Sequence, residues 1–98
     1  MNIALHALAI ASALLLMGSG RGMSACESVT RSAVEMPSTF RKITAREEPG
    51  QTPAMTYFVV DYYTTAMDGK RMRERVHCSY MRDTKKATPR VISSEPAG

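Results

Sequence analysis

Two cysteines, Cys26 and Cys78, are the residues of this sequence with the clearest chemical potential. A metal site needs three or four converging ligands, and after residue 25 the chain offers a single histidine, His77. His77 and Cys78 are neighbours on a predicted strand, so their side chains point to opposite faces and cannot form a nucleophile–base pair. The predicted pairing of strands also separates Asp61 from His77. We therefore expect a disulfide, and no enzyme activity, metal or cofactor.

A second set of residues combines aromatic rings with positive charge. On the predicted hairpin these residues share one face: Phe58, Tyr62, Arg71, Arg73, Arg75 and His77. Such a face can bind a protein, an anionic surface or single-stranded nucleic acid. It can also be a solvated sheet face with arginines lying over rings, or a dimer interface.

The length and charge of the chain limit what it can build. Ninety-eight residues make one domain at most, and the formal net charge is +4. The first seventeen residues are apolar and the last sixteen are polar, which leaves about sixty residues for a core. A domain of that size usually needs a covalent or metal staple.

The N-terminal segment predicts export. Residues 1–17 contain no Lys, Arg, Asp or Glu, and the apolar run of residues 7–17 has the length of a signal-peptide core. It is short for a membrane span, which needs about 20 apolar residues. Small residues follow, and cleavage after Gly20, Gly22 or Ala25 fits the preference of signal peptidases for small side chains. We expect residues 1–25 to be a signal peptide or a hydrophobic anchor.

Three alternatives to a cleaved signal stay open, and the first is that the segment is retained as an uncleaved hydrophobic helix. The segment Met23-Ser24-Ala25-Cys26 resembles the lipobox of bacterial lipoproteins, in which Cys26 would be acylated after cleavage. The segment could also be a buried N-terminal helix of a cytosolic protein, although a core helix usually has a polar face and this one has none. The predicted location is therefore periplasmic or secreted, with a membrane-anchored protein as the alternative.

A helix is predicted over residues 25–36. Ser24 and Glu27 have the spacing of a capping box, and Pro37 ends the helix. One apolar stripe is expected to face the core, formed by Cys26, Val29, Ala33 and Met36. Cys26 therefore lies on the buried side, which favours a structural cysteine over a lipidated one.

Three strands are predicted after the helix, over residues 40–47, 54–67 and 70–82. Asp68-Gly69 reads as a two-residue type I′ turn, which pairs Val59 with Cys78. The helix should cover the less charged hairpin face, formed by Tyr57, Val59, Val76, Cys78 and Tyr80. Cys78 then lies under Cys26, and a bridge closing a loop of about 50 residues would stabilise the fold by on the order of 4 kcal/mol.

The predicted fold class is thus α+β, with one helix packed on a three-stranded antiparallel β-meander. Residues 26–82 form the domain, and residues 83–98 are predicted to be a disordered tail because they lack periodicity and are rich in Pro, Ser and Lys.

The order of helix, Pro37-Ser38-Thr39-Phe40 and a last strand with Cys78 resembles a group of small uncharacterised exported proteins from bacteria and prophages. The resemblance covers about residues 26–80. It implies an α+β fold and brings no known activity or site residues. The Asp68-Gly69 turn departs from the Phe/Asn-Gly turn of that group.

We expect a non-enzymatic exported protein that binds a protein or an anionic envelope surface through the arginine and aromatic face. The alternatives are an envelope lipoprotein anchored at Cys26 with a structural or accessory role, and a nucleic-acid-binding module. Export argues against nucleic acid, and contact with the membrane is expected only through the N-terminal segment.

Overall fold

The computed structural model describes residues 20–98, and the predicted signal-peptide core lies outside them. A helix, α1, covers residues 20–33 and is followed by a 3-10 turn at Pro37–Thr39. Four antiparallel strands follow in the order of the chain, namely β1 (Arg41–Pro49), β2 (Met55–Thr65), β3 (Arg71–Met81) and β4 (Lys86–Pro96). The predicted α+β class is confirmed, but the sheet has four strands instead of three.

Helix α1 differs from the prediction at both ends. Its residues are already helical at position 20, so Ser24 lies inside the helix and no capping box starts there. Glu27 instead pairs with Lys42, with 2.7 Å between Oε1 and Nζ. The helix ends at residue 33, and residues 34–36 bend into the 3-10 turn that begins at Pro37.

The buried face of α1 also differs from the predicted stripe. Gly22, Cys26 and Thr30 are the buried residues of the helix, at the i, i+4 spacing that places side chains one above another. Ala33 and Met36 are exposed, contrary to the prediction. The buried hydroxyl of Thr30 donates to the Cys26 carbonyl at 2.6 Å, so it leaves no unpaired polar group in the core.

The β2–β3 hairpin corrects the predicted pairing by one residue. Ala66 N donates to Lys70 O at 2.8 Å, which encloses a loop of three residues, 67–69. Only Gly69 has a positive φ, 87°, whereas a type I′ turn needs positive φ at both central residues. Phe58 therefore pairs with Cys78, not Val59. A slip of one residue turns every side chain of β2 to the other side of the sheet.

The core lies between α1 and the sheet side that this pairing creates. Phe58, Val60 and Tyr62 of β2 point toward the helix together with three residues of β3, Val76, Cys78 and Tyr80. The prediction that Phe58 and Tyr62 share the arginine face is wrong, because they are 2% and 1% exposed.

The disulfide between Cys26 and Cys78 is confirmed. The two Cα atoms are 6.0 Å apart, and both residues are fully buried. The bridge fastens the middle of α1 to the centre of the sheet.

Strand β4 overturns the prediction that residues 83–98 are disordered. It pairs with β3 along its length, with Val91 opposite Val76 and Pro89 opposite Cys78. As an edge strand it is mostly exposed, so its polar composition does not prevent pairing. Proline is tolerated there because the missing N–H can face solvent.

Candidate anion-binding face

The side of the sheet opposite α1 carries the side chains that the pairing turns away from the core. We call this side the open face, because no described helix packs on it. Its charged residues come from all four strands: Arg41, Arg46, Glu48, Asp61, Arg71, Arg73, Arg75, Lys86, Arg90 and Glu95. Its aromatic side chains are Tyr57, Tyr63 and His77.

The open face holds the whole net charge of the chain. It has seven basic and three acidic side chains, an excess of four that equals the formal net charge of +4. The six basic and six acidic side chains elsewhere cancel, and residues 1–19 contain no Lys, Arg, Asp or Glu. The positive charge is therefore segregated on one side of the sheet.

One arginine of the open face serves the fold. Arg75 donates from Nε to Asp61 Oδ1 at 2.6 Å and from Nη2 to Oδ2 at 3.0 Å. Thr44 Oγ1 lies 3.3 Å from the same Oδ2. Asp61 is 6% exposed, and its hydrogen bonds to Arg75 hold the pKa of that carboxyl below its usual value. The Asp61 carboxylate in turn raises the pKa of Arg75.

The other six cations of this face differ in their contacts, and Arg41 donates from Nη1 to the carbonyl oxygens of Ser38 and Phe40 at 3.2 and 2.9 Å. Arg46 Nε lies 3.2 Å from Glu48 Oε2, and the guanidinium of Arg71 lies 4.1 Å from the ring centre of Tyr63. Within residues 20–98, no carboxylate forms an ion pair with Arg73, Lys86 or Arg90. These three side chains lie on β3 and β4, which makes that half of the face the more available to an anion.

The aromatic rings of the open face are already engaged with their neighbours. Tyr57 and His77 lie with ring centres 4.5 Å apart and planes tilted by 46°. Tyr63 lies under Arg71. Val59, at the centre of the face, is 3% exposed. Long arginine stems can shield an apolar residue in this way.

Four of the six residues predicted for a binding face lie together on the open face: Arg71, Arg73, Arg75 and His77. The sequence reasoning missed Tyr57 and Tyr63, which the corrected pairing turns outward, and Arg90, which was assigned to the disordered tail. The two tyrosines could have been placed on the open face only if the three-residue length of the hairpin loop had been predicted, because that length sets the register of β2.

Asp61 and His77 lie on the same face, contrary to the prediction. Asp61 is bonded to Arg75 and Thr44, so it does not orient the histidine.

A groove of about 460 Å³ lies on the other side of the sheet, between the end of α1 and strands β3 and β4. Its apolar wall includes Val34, Val76 and Val91. Glu74 lines it and accepts hydrogen bonds from Tyr62 Oη at 2.8 Å and Ser94 Oγ at 2.7 Å. Burial, with the bond to Glu74, raises the pKa of Tyr62. The carboxylate of Glu74 in this groove is thus paired within the protein.

Other kinds of site were sought across residues 20–98. That part of the chain has no cluster of three His, Cys, Asp or Glu side chains that could hold a metal ion. It also has no helix with the length and apolar character needed to cross a membrane.

Comparison with protein families, curated protein sequences and solved structures finds no match. The resemblance to small exported bacterial proteins stays a prediction.

Proposed function

We propose that this protein is a non-enzymatic, exported domain that binds an anionic surface through the open face. The observation that carries the proposal is the placement of the whole charge excess on the one side of the sheet that α1 leaves uncovered. Opposite charge at close range attracts such a surface without any preformed pocket.

The geometry favours a charged surface over the other anionic partners. A specific protein interface usually has an exposed apolar centre, whereas the central Val59 is already buried at 3% exposure. Binding of single-stranded nucleic acid depends on stacking of bases on free aromatic rings. Here Tyr63 is under Arg71, and Tyr57 lies against His77.

The expected affinity is modest. A basic side chain near an anionic membrane contributes about 1 kcal/mol, so an excess of four is worth about 4 kcal/mol. That free energy corresponds to a dissociation constant of roughly 1 mM. Binding should therefore be reversible and should weaken steeply as salt screens the charges.

Export is supported by the buried disulfide, since structural disulfides persist mainly in oxidising compartments. The periplasm or the extracellular medium is the proposed location. The alternative of a lipoprotein needs the Cys26 sulfur for acylation, and the disulfide uses that same atom.

The first test removes the two most available arginines. Binding of the purified domain to phosphatidylcholine vesicles that contain phosphatidylglycerol should fall about thirtyfold in the variant Arg73→Gln/Arg90→Gln, because two contributions of about 1 kcal/mol are lost. The measurement is vesicle co-sedimentation at low and physiological salt, with vesicles of phosphatidylcholine alone for comparison.

The matched control changes the net charge equally but away from the open face. Lys70→Gln/Lys85→Asn alters two exposed turn residues and should reduce binding far less. Equal losses in the two variants, or binding that does not respond to salt, would show that the open face is not the site. If the domain binds single-stranded DNA or an acidic protein more tightly than it binds the vesicles, the proposal of an anionic surface as the partner is wrong.

A further inference from the structure

The first turns of α1 belong to the folded domain. Gly22 lies against the aromatic core so closely that a Cβ at that position would be 2.8 Å from Phe58 Cε2 and 3.0 Å from Tyr80 Cδ2. Met23 and Ala25 are partly buried against the same core cluster. Removal of residues 22–25 would therefore uncover Phe58 and Tyr80.

A peptidase that selects small side chains at the first and third positions before the scissile bond finds both after Gly20, Gly22 and Ser24, and only the first after Ala25. A cut after Gly20 places Gly18 and Gly20 at these positions, and a cut after Gly22 places Gly20 and Gly22 there. A cut after Ala25 places Met23 at the third position, where its long side chain fits poorly.

Only one of these cuts is compatible with both the sequence rule and the fold. Cuts after Gly22, Ser24 and Ala25 all remove Gly22, which lies against Phe58 and Tyr80, and the last of them leaves Cys26 as the N-terminal residue. A cut after Gly20 keeps Gly22, Met23 and Ala25 on the core.

We propose that the chain is processed between Gly20 and Arg21, an inference that rests on the export proposed above. A signal peptidase would hydrolyse this peptide bond with one water molecule, which leaves a carboxylate on Gly20 and an amino group on Arg21. The mature protein then begins at Arg21 and retains every described core contact of α1.

The test is the intact mass of the full chain after expression in an exporting bacterial host, with each cell fraction analysed before and after reduction and thiol alkylation. The expected species lies in the periplasm or medium, begins at Arg21 and has two hydrogens fewer than its reduced form. An exported, disulfide-bonded chain that begins at Met1, Met23, Ala25 or Cys26 would overturn the proposed cut but leave export intact. A full-length cytoplasmic chain with two free thiols would overturn export itself, and the cut with it.

Two substitutions locate the cut by a second measurement. Gly18→Leu places a large side chain at the third position before the proposed scissile bond and at no recognition position of the later cuts, so the species that begins at Arg21 should disappear. Ala25→Leu blocks only the cut after Ala25 and should leave processing unchanged. Unchanged processing of the first variant, or loss of processing in Ala25→Leu, would overturn the proposed cut.

Discussion

On the open face, some charged residues stabilise the fold and others have no ion-pair partner among the described residues. The bond between Asp61 and Arg75 is an example of the first kind. Asp61 is a carboxylate with 6% exposure, and Arg75 meets it with two hydrogen bonds of 2.6 and 3.0 Å. An unpaired charge at such a position would destabilise the fold, so the pair is retained for structure. The neighbouring Arg73 has no such hydrogen-bonded carboxylate among the described residues, although it lies opposite Glu95 and its charge also lowers the pKa of Asp61.

This pair predicts a loss of stability in acid. Because the pKa of Asp61 is lowered in the folded state, its contribution is complete above the usual Asp range and is lost as pH falls through the folded pKa, below about pH 4. Asp61→Asn should be less stable at neutral pH and should show a smaller further loss in acid. The measurement is the denaturant midpoint as a function of pH. Asp83→Asn, at an exposed turn residue, is the control, and an acid slope equal in Asp61→Asn and wild type would contradict the assignment.

At the scale of the elements, the hairpin loop decides which side chains form the site. The three-residue loop places Gly69 at φ 87°, in the left-handed region that side chains with a Cβ adopt at a penalty of about 1–2 kcal/mol. No atom lies within 4 Å of a Cβ built at Gly69, so that backbone penalty is the whole expected effect.

The loop therefore predicts a simple mutational series. Gly69→Ala should reduce the free energy of unfolding by about 1–2 kcal/mol, and Gly69→Asn by less, because asparagine tolerates the left-handed region. Equilibrium denaturation measures both changes. Equal stability of the alanine variant and the wild type would show that the loop has another conformation in solution.

The elements also show what could be read from the sequence. The disulfide was predicted correctly although β2 was placed one residue out of register, because it depends only on the buried stripe of α1 and the buried alternation of β3. The tyrosines of the open face lie on β2, so the error in the register of β2 placed Phe58 and Tyr62 on that face instead of Tyr57 and Tyr63. An Asp-Gly pair fits loops of two or three residues, and only the surrounding sheet selects between them.

The fourth strand could not be predicted for a different reason. Residues 86–96 contain two prolines and few apolar side chains, which is typical of disorder. An edge strand needs little apolar surface, since β3 supplies its hydrogen-bond partners and most of its side chains stay in water. Composition alone does not separate these two states.

At the scale of the whole molecule, the core that residues 20–98 form between one helix and one sheet is thin, and a disulfide links its two layers. The disulfide joins residues 52 positions apart, from α1 to β3. A loop of that length corresponds to about 4 kcal/mol of stabilisation, comparable to the stability of a small domain.

Reduction is therefore expected to bring the protein close to unfolding. Wild type in reductant and the variant Cys26→Ala/Cys78→Ala should both lose up to about 4 kcal/mol of unfolding free energy relative to the oxidised protein. Denaturant titration with and without reductant measures the loss. A reduced protein with an unchanged midpoint would show that packing alone holds α1 on the sheet.

Proline in the outermost strand has a consequence for behaviour in concentrated solution. An exposed strand edge is a template on which further chains can add and grow into fibrils. Pro89 breaks the row of donors along β4, and Pro96 ends it. A second molecule that approached this edge would find an interrupted ladder, so the protein is protected against filament growth in that direction.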